Sequence, residues 1–410
     1  VLNWGESIFV QGLNQINPID VPAFRRPGAE LKEVFMPVWA ISANQSLGEW
    51  GSLEAFYQLK YQSTPVDSGC GMYWSQTMGP ISGGHAAGCD NVIGLGPLLA
   101  SAVPALAAAS APYSYNLPTG FLSLPLPYQG LYVDQIRSPH QPENQGDWGV
   151  AYKFTSDALD TEFGFYYENL TPRLPVLSVN VNGWLYGSAA PGKGNAPISA
   201  FWEYPDRMDV FGISAATNIL GWSVSGEFSQ IKNFAAQVNG DDLLFAGLGA
   251  SGLVAAQQSN FTSVSSVAVG PSGQRAQISA AQAQATGTGY LPGYVMTTKS
   301  QVQVNFLKAG NNILGANQYL FLGEVAYQWN DLNDYKNGGL RFGRGFIFGN
   351  GSSPTYGSPV NPTGNLCASG ENNHVDGCKN DGYVTKDAWG YRLMARLEYT
   401  NVFDTGVTVY

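Results

Sequence analysis

Few residues in this chain could do covalent chemistry, and they are scattered. There are three histidines, His85, His140 and His374, and four cysteines, Cys70, Cys89, Cys367 and Cys378. No G-x-S-x-G, H-E-x-x-H or P-loop sequence occurs, so neither a nucleophile–base pair nor a phosphate cradle is expected. No C-x-x-C occurs, and three isolated imidazoles do not supply a zinc ligand set. Asp376 and Asp381 in "NNHVDGCKNDG" lack the spacing of a calcium loop. We therefore expect no catalytic residue, no metal and no cofactor. The cysteines fall into two Gly-rich stretches, and of the three possible connectivities local pairing, Cys70 with Cys89 and Cys367 with Cys378, is the expected one. Such bridges imply an oxidising compartment. The alternative is four unpaired loop thiols. What remains is charge: the adjacent guanidiniums of Arg25 and Arg26, bracketed by Pro22 and Pro27, and a set of glutamates spread along the chain.

The elements that must position these charges are read from composition and periodicity. Only 12% of the 410 residues are charged, against 13% aromatic residues and 50 glycines, and mean hydropathy is −0.10. An ordinary soluble domain carries roughly twice that charged fraction. Few charges and many aromatics without long apolar runs suit a transmembrane β-barrel; a secreted β-sandwich or solenoid is the rival. The net charge of −10 and the lack of any basic run argue against a nucleic-acid partner. The chain begins at Val1 with no charged segment ahead of an apolar core, so a signal peptide is expected to be already absent.

Period-two alternation is the strongest pattern. Leu53, Ala55, Tyr57, Leu59 and Tyr61 oppose Glu54, Gln58, Lys60 and Gln62; Tyr391, Leu393, Ala395, Leu397 and Tyr399 oppose Arg392, Arg396 and Glu398. This template predicts about eleven strands, at 2–11, 34–43, 51–63, 146–155, 161–178, 206–216, 219–231, 293–308, 318–330, 388–402 and from 405 onward. The connections between them alternate between long and short. Residues 64–145 and 232–292 make long outward or plug loops, and 331–387 makes a third that carries a cysteine pair. Barrels sort their loops in this way, with short turns at one rim and long loops at the other. The expected fold is thus all-β, with residues 1–410 forming part of one antiparallel transmembrane barrel.

On that fold Glu54, Lys60, Glu168, Glu227, Glu324, Arg392, Arg396 and Glu398 point to the lumen. The prolines prevent regular strand pairing around Arg25 and Arg26, so this connection is expected to fold inward and be clamped by the lumen acids. A solvated turn without lumen contact is the other reading. The run "VIGLGPLLASAVPALAAASAP" from Val92 is broken by Pro97 and Pro104, too interrupted for a spanning helix. Leu95, Leu98, Leu99, Val103 and Leu106 recur at helical spacing. They form either the core of the loop itself or a lid or plug that touches an apolar permeant.

"LNWGESIFVQGLNQINPIDVPAFRRPGAELKEVFMPV", from Leu2 to Val38, resembles the signature of the proteobacterial domain-of-unknown-function 1302 family. "SLEAFYQLKYQSTPVDSGCG" and "DALDTEFGFYYEN" resemble later segments of the same family. The resemblance implies a large Gram-negative outer-membrane barrel with extracellular loops. It also implies traffic of hydrophobic compounds, with an outer-membrane lipoprotein and an inner-membrane resistance-nodulation-division transporter as partners. Family members carry further strands before and after these segments, so the chain is expected to be the middle of a larger barrel. The expected function is porin-like transport or handover of hydrophobic small molecules or lipids, in contact with outer-membrane lipid. A structural or adhesive surface barrel with partner-binding loops is the alternative, and a barrel-borne enzyme the third class.

Overall fold

The computed structural model describes residues 2–9, 11–26, 34–65, 92–94, 132–135, 142–181, 198–239, 243, 289–333, 340, 342–343, 383–400, 405 and 407–409. A single turn of helix, α1 (Val21–Phe24), precedes fourteen strands among these residues. The strands are β1 (Trp39–Ser46), β2 (Ser52–Lys60), β3 (Val92–Gly94), β4 (Tyr132–Gln135), β5 (Trp148–Ser156), β6 (Thr161–Leu170) and β7 (Val176–Val181). They continue with β8 (Ile198–Glu203), β9 (Met208–Ile219), β10 (Trp222–Gln237), β11 (Gly289–Leu291), β12 (Tyr294–Ile313), β13 (Ala316–Asn330) and β14 (Asp387–Glu398).

Nine of them pair in the order β1-β2-β5-β6-β9-β10-β12-β13-β14, every neighbour antiparallel. β1 and β14 end the sheet, and no pairing joins them among the described residues. The other five form a smaller sheet in the order β11-β7-β8-β4-β3, antiparallel except for the parallel β4–β8 pair.

The alternation of connections is present in the large sheet. Residues 47–51, residues 157–160, Leu220 with Gly221, and Leu314 with Gly315 close hairpins at one rim. At Leu220–Gly221 and Leu314–Gly315 both turn residues have positive φ (52° and 75°, 49° and 79°). That is the two-residue turn whose twist matches the flanking strands. The connections after β2, β6, β10 and β13 all leave from the opposite rim and are long.

Each strand of the large sheet presents two chemically different faces, because successive side chains point opposite ways. Residues paired across a ladder share a face. The pairs Tyr57↔Trp148, Phe165↔Ile213, Val304↔Val325, Val325↔Tyr391 and Tyr327↔Trp389 build one exposed apolar face. Aromatic rings gather at its two ends. Trp148, Tyr167 and Phe211 touch in series at 5.3 and 4.9 Å near the long-connection rim. Tyr152, Phe154 and Phe163 at 5.8 and 5.4 Å, and Tyr319 with Phe321 at 5.3 Å, lie near the short-turn rim. Between them stand Val150, Ile213, Val302, Val304 and Leu393.

The structure departs from the expected strands in several places. β3, β4, β8 and β11 lie in spans expected as connections, and β1 runs over Trp39–Ser46 rather than 34–43. Residues 2–9 are not a strand; they run as irregular chain over the polar face of the large sheet. The span expected to run unbroken from 161 to 178 stops at Leu170, and β7 belongs to the smaller sheet. Among the described residues, the last expected strand shows an isolated bridge between Tyr399 and Val409. For residues 2–9 and 161–178 the cause is lateral: alternation says nothing about which ladder, if any, a segment joins.

Candidate functional site

The polar face is covered by the chain's own first residues. The Trp4 indole donates to Glu54 Oε2 on β2 at 2.9 Å, and its ring packs edge-on against Phe56 at 5.1 Å and tilted against Tyr166 of β6 at 6.1 Å. The backbone N–H groups of Glu6 and Leu13 donate to the two oxygens of Glu227 on β10, both at 2.7 Å. The Phe9 N–H donates to Glu324 Oε2 on β13, and the Arg392 guanidinium of β14 lies 4.4 Å from the Phe9 ring centre. The Asn305 amide of β12 donates to the Glu6 carbonyl. Residues 4–9 and 11–13 thus form a hook that curls back onto Glu227.

Two glycines permit this approach. A Cβ on Gly5, whose φ is +85°, would fall 2.2 Å from Glu227 Oε2, and one on Gly12 would fall 2.0 Å from Oε1. Trp4, Leu13 and Ile16 then pack with Phe56, Tyr166, Leu170, Met208, Val210 and Ile231 as the buried core between hook and sheet.

Glu168 of β6 sits in this covered layer fully buried, with neither carboxylate oxygen hydrogen-bonded among the described residues; its electrostatic neighbours are Glu227 and Arg173. Outside the strands, burial pushes the Glu6 carboxyl up, helped by the charge of Glu162 and opposed by Lys153 and Ser225.

A second buried cluster lies at the long-connection rim. Arg173, between Pro172 and Pro175, donates from Nη2 to Gln58 Oε1 at 2.7 Å, and its Nη1 lies 3.3 Å from Asp147 Oδ2. That last approach is off the hydrogen-bond direction, so the pair is held there by charge rather than by an aligned hydrogen bond. Asp147 Oδ1 accepts from both the N–H and the hydroxyl of Thr171. The guanidinium stacks over Tyr61 at 5.3 Å, whose hydroxyl donates to the Pro172 carbonyl. Burial lowers the pKa of Arg173 and raises that of Tyr61; the Asp147 charge offsets the first.

Beside this cluster, at the same rim, a cavity of about 690 Å³ opens above the hook. Its walls come from the hook (Ile8, Phe9), α1 (Phe24), the segments after β6 and β13 (Leu174, Leu332), the start of β7 (Val176), and the rim ends of β9, β10 and β12 (Met208, Phe234, Lys299).

The residues expected to line the lumen divide. Glu54, Glu168, Glu227, Glu324 and Arg392 share the polar face, and the first four are gathered under or beside the hook. Glu54 also pairs with Lys153 at 3.2 Å. Lys60 is exposed at the rim end of β2. Arg396 and Glu398 pair with each other at 3.7 Å near the open edge. Arg25 and Arg26 are exposed at the end of α1. Among the described residues the carboxylates of Glu54, Glu227 and Glu324 accept from the hook, and Glu54 also pairs with Lys153.

Leu95, Leu98, Leu99, Val103, Leu106 and the four cysteines Cys70, Cys89, Cys367 and Cys378 lie outside the described residues. Sequence reading missed Glu6, Asp147, Arg173 and Lys299. The usable signals were Gly5 and Gly12 seven apart in a segment without clean alternation, and the bracketing of Arg173 by two prolines.

No curated protein and no solved structure matches this chain. A family model does, along residues 1–409, and its description is a protein of unknown function. With the "LNWGES" segment now seen as the hook that covers the sheet's polar face, and with the match running almost end to end, the chain belongs to the DUF1302 family.

Proposed function

We propose that the chain forms part of an outer-membrane β-barrel that hands over hydrophobic small molecules or lipids between the membrane and envelope partners. The observation that carries this reading is the apolar cavity at the long-connection rim, floored by a hook that covers the polar face. An exposed apolar face with aromatic ends suits strands set in lipid. On β13 the aromatic ends, Tyr319 and Trp329, are ten residues apart, which is ~34 Å along a strand. With the usual barrel tilt of 35–45° that becomes ~26 Å, close to the ~25 Å apolar band of such barrels.

The hook lies over Glu54, Glu227 and Glu324 on the polar face, which favours this reading over a general porin. Cargo would occupy the rim cavity and leave sideways or past the hook. In the plugged, purely structural alternative the same cavity stays unused.

The test is transfer of a fluorescent sterol between donor and acceptor vesicles, with the protein reconstituted in the donors and its folding confirmed by heat-modifiable gel mobility. Faster transfer than in protein-free vesicles is expected. Equal rates with folded protein overturn the proposal.

A further inference from the structure

The rim cavity has one feature that an all-apolar cargo does not need. Lys299, near the start of β12, faces into it. Its register partners Ile231 and Asn330 both lie on the covered face of the sheet. The ammonium lies 5.3 Å from the centre of the Phe234 ring and pairs with no carboxylate among the described residues. The contrast is Arg173 on the same wall, which is matched by Asp147 and Gln58. Gln328, one strand over on β13, also lines the cavity, and its side-chain amide has no hydrogen-bond partner among the described residues. A cation held against an aromatic ring inside an apolar cavity has lost much of its water, here without gaining a counter-charge among the described residues. An anion delivered into the cavity would supply that counter-charge at low local dielectric, where the attraction is strong.

We propose that the cavity binds a monoanionic amphiphile, a long-chain carboxylate, with its hydrocarbon body among Ile8, Phe9, Phe24, Val176, Met208 and Leu332 and its carboxylate at the Lys299 ammonium and the Gln328 amide. The cavity volume of about 690 Å³ is within the range of sites that enclose small organic ligands. The proposal rests on the reading of the chain as a carrier of hydrophobic compounds and narrows its cargo to one with a single negative end. A neutral sterol or alkane of the same bulk would fill the walls and leave Lys299 unmatched. A phosphate-bearing lipid would bring a larger head than one ammonium and one amide can satisfy.

The experiment uses the full chain in phosphatidylcholine nanodiscs at pH 8, with radiolabelled palmitate and hexadecanol as probes. The two share a chain length and differ in the charge of the head. Palmitate is expected to bind at least tenfold more tightly than hexadecanol in the unaltered protein. Lys299→Met should abolish that difference by weakening palmitate alone, and Lys299→Arg should keep it. Equal binding of the two probes to the unaltered protein overturns the anion preference while leaving the hydrophobic-carrier reading intact. Binding of neither probe overturns both. A tenfold preference that survives in folded Lys299→Met also overturns the assignment, by placing the anion elsewhere. The unaltered-protein comparison stands even where a variant fails to fold.

Discussion

The carboxylate of Glu227 accepts the backbone N–H of Glu6 on one oxygen and that of Leu13 on the other, each at 2.7 Å. One side chain on β10 thereby closes the hook into a loop. Hydrogen bonds to a charged acceptor contribute about 1.5–3 kcal/mol each. Glu227→Leu should therefore release the hook from the sheet while the strand ladders persist. Spin labels at Ser7 would report this as a gain in mobility with unchanged β-sheet circular dichroism. A label that stays immobile would show that the core around Trp4 and Leu13 holds the hook without Glu227.

Gly12 tests the same contact from the other side. A Cβ there has to displace the Glu227 carboxylate, because the position it would occupy is 2.0 Å from Oε1. Gly12→Val should loosen the hook as Glu227→Leu does, with a cost of about 1–3 kcal/mol from overpacking. The two substitutions together should cost less than their sum, since both remove one interaction. Additive losses in denaturant titrations would argue against a shared contact.

Docking of the hook should depend on pH through Glu6. Burial raises its carboxyl above the usual value of 4.5 in the docked state. The docked hook then binds a proton more readily than the released one, so docking is favoured at low pH. It weakens as pH rises from about 4.5 through the raised value. Glu6→Gln should remove the Glu6 part of this dependence. Cleavage of the N-terminal segment by added protease, followed across that window, reads it out. Cleavage that slows with rising pH contradicts the assignment.

The Arg173–Asp147 pair is nearly fully covered, with side-chain exposures of 7% and 3%. Removing Arg173 leaves the buried Asp147 with only Arg207, 3.8 Å away, as a cationic neighbour among the described residues, so the cost should approach that of an unpaired buried charge, about 3–5 kcal/mol. Arg173→Met should unseat the segment that carries Pro172 and Leu174, and with it the wall of the rim cavity. The double variant Arg173→Met with Asp147→Leu should recover much of the loss. Urea midpoints of the two single and one double variant give the coupling.

The facing of β14 is a separate test of membrane contact. Arg392 stands opposite Glu324 in the β13–β14 register on the polar face, and Leu393 is exposed on the other. Leu393→Arg should cost about 2–4 kcal/mol if the residue lies at the bilayer midplane. Spin labels at successive positions from 389 to 396 should alternate between lipid-soluble and water-soluble quenchers. Uniform water accessibility would remove the strand from the membrane.

Which parts of this were legible in the sequence follows from the range of the interactions. Alternation at Leu53 to Lys60 or Trp389 to Leu397 is a local property, since the face of each side chain is set by its position in its own strand. Sequence alone therefore determined the antiparallel strands of the large sheet, the polar side carrying Glu54, Glu168, Glu227, Glu324 and Arg392, and the sorting of short and long connections; β3, β4, β8 and β11 of the smaller sheet lay in spans read as loops. The first residues defeated that logic. Leu2 to Gln11 reads as one more strand, yet its amides go to glutamate carboxylates, the Glu6 N–H reaching across 221 positions to Glu227. Whether an extended segment finds a neighbouring ladder or a buried carboxylate depends on what the fold brings opposite it. The same holds for Arg173, which only the fold sets against Asp147 and Gln58, and for Lys299, which alternation puts on the polar side but only tertiary packing leaves facing an apolar cavity with no carboxylate partner among the described residues. Local backbone geometry decides which way a side chain points; only the packed chain decides what it meets there.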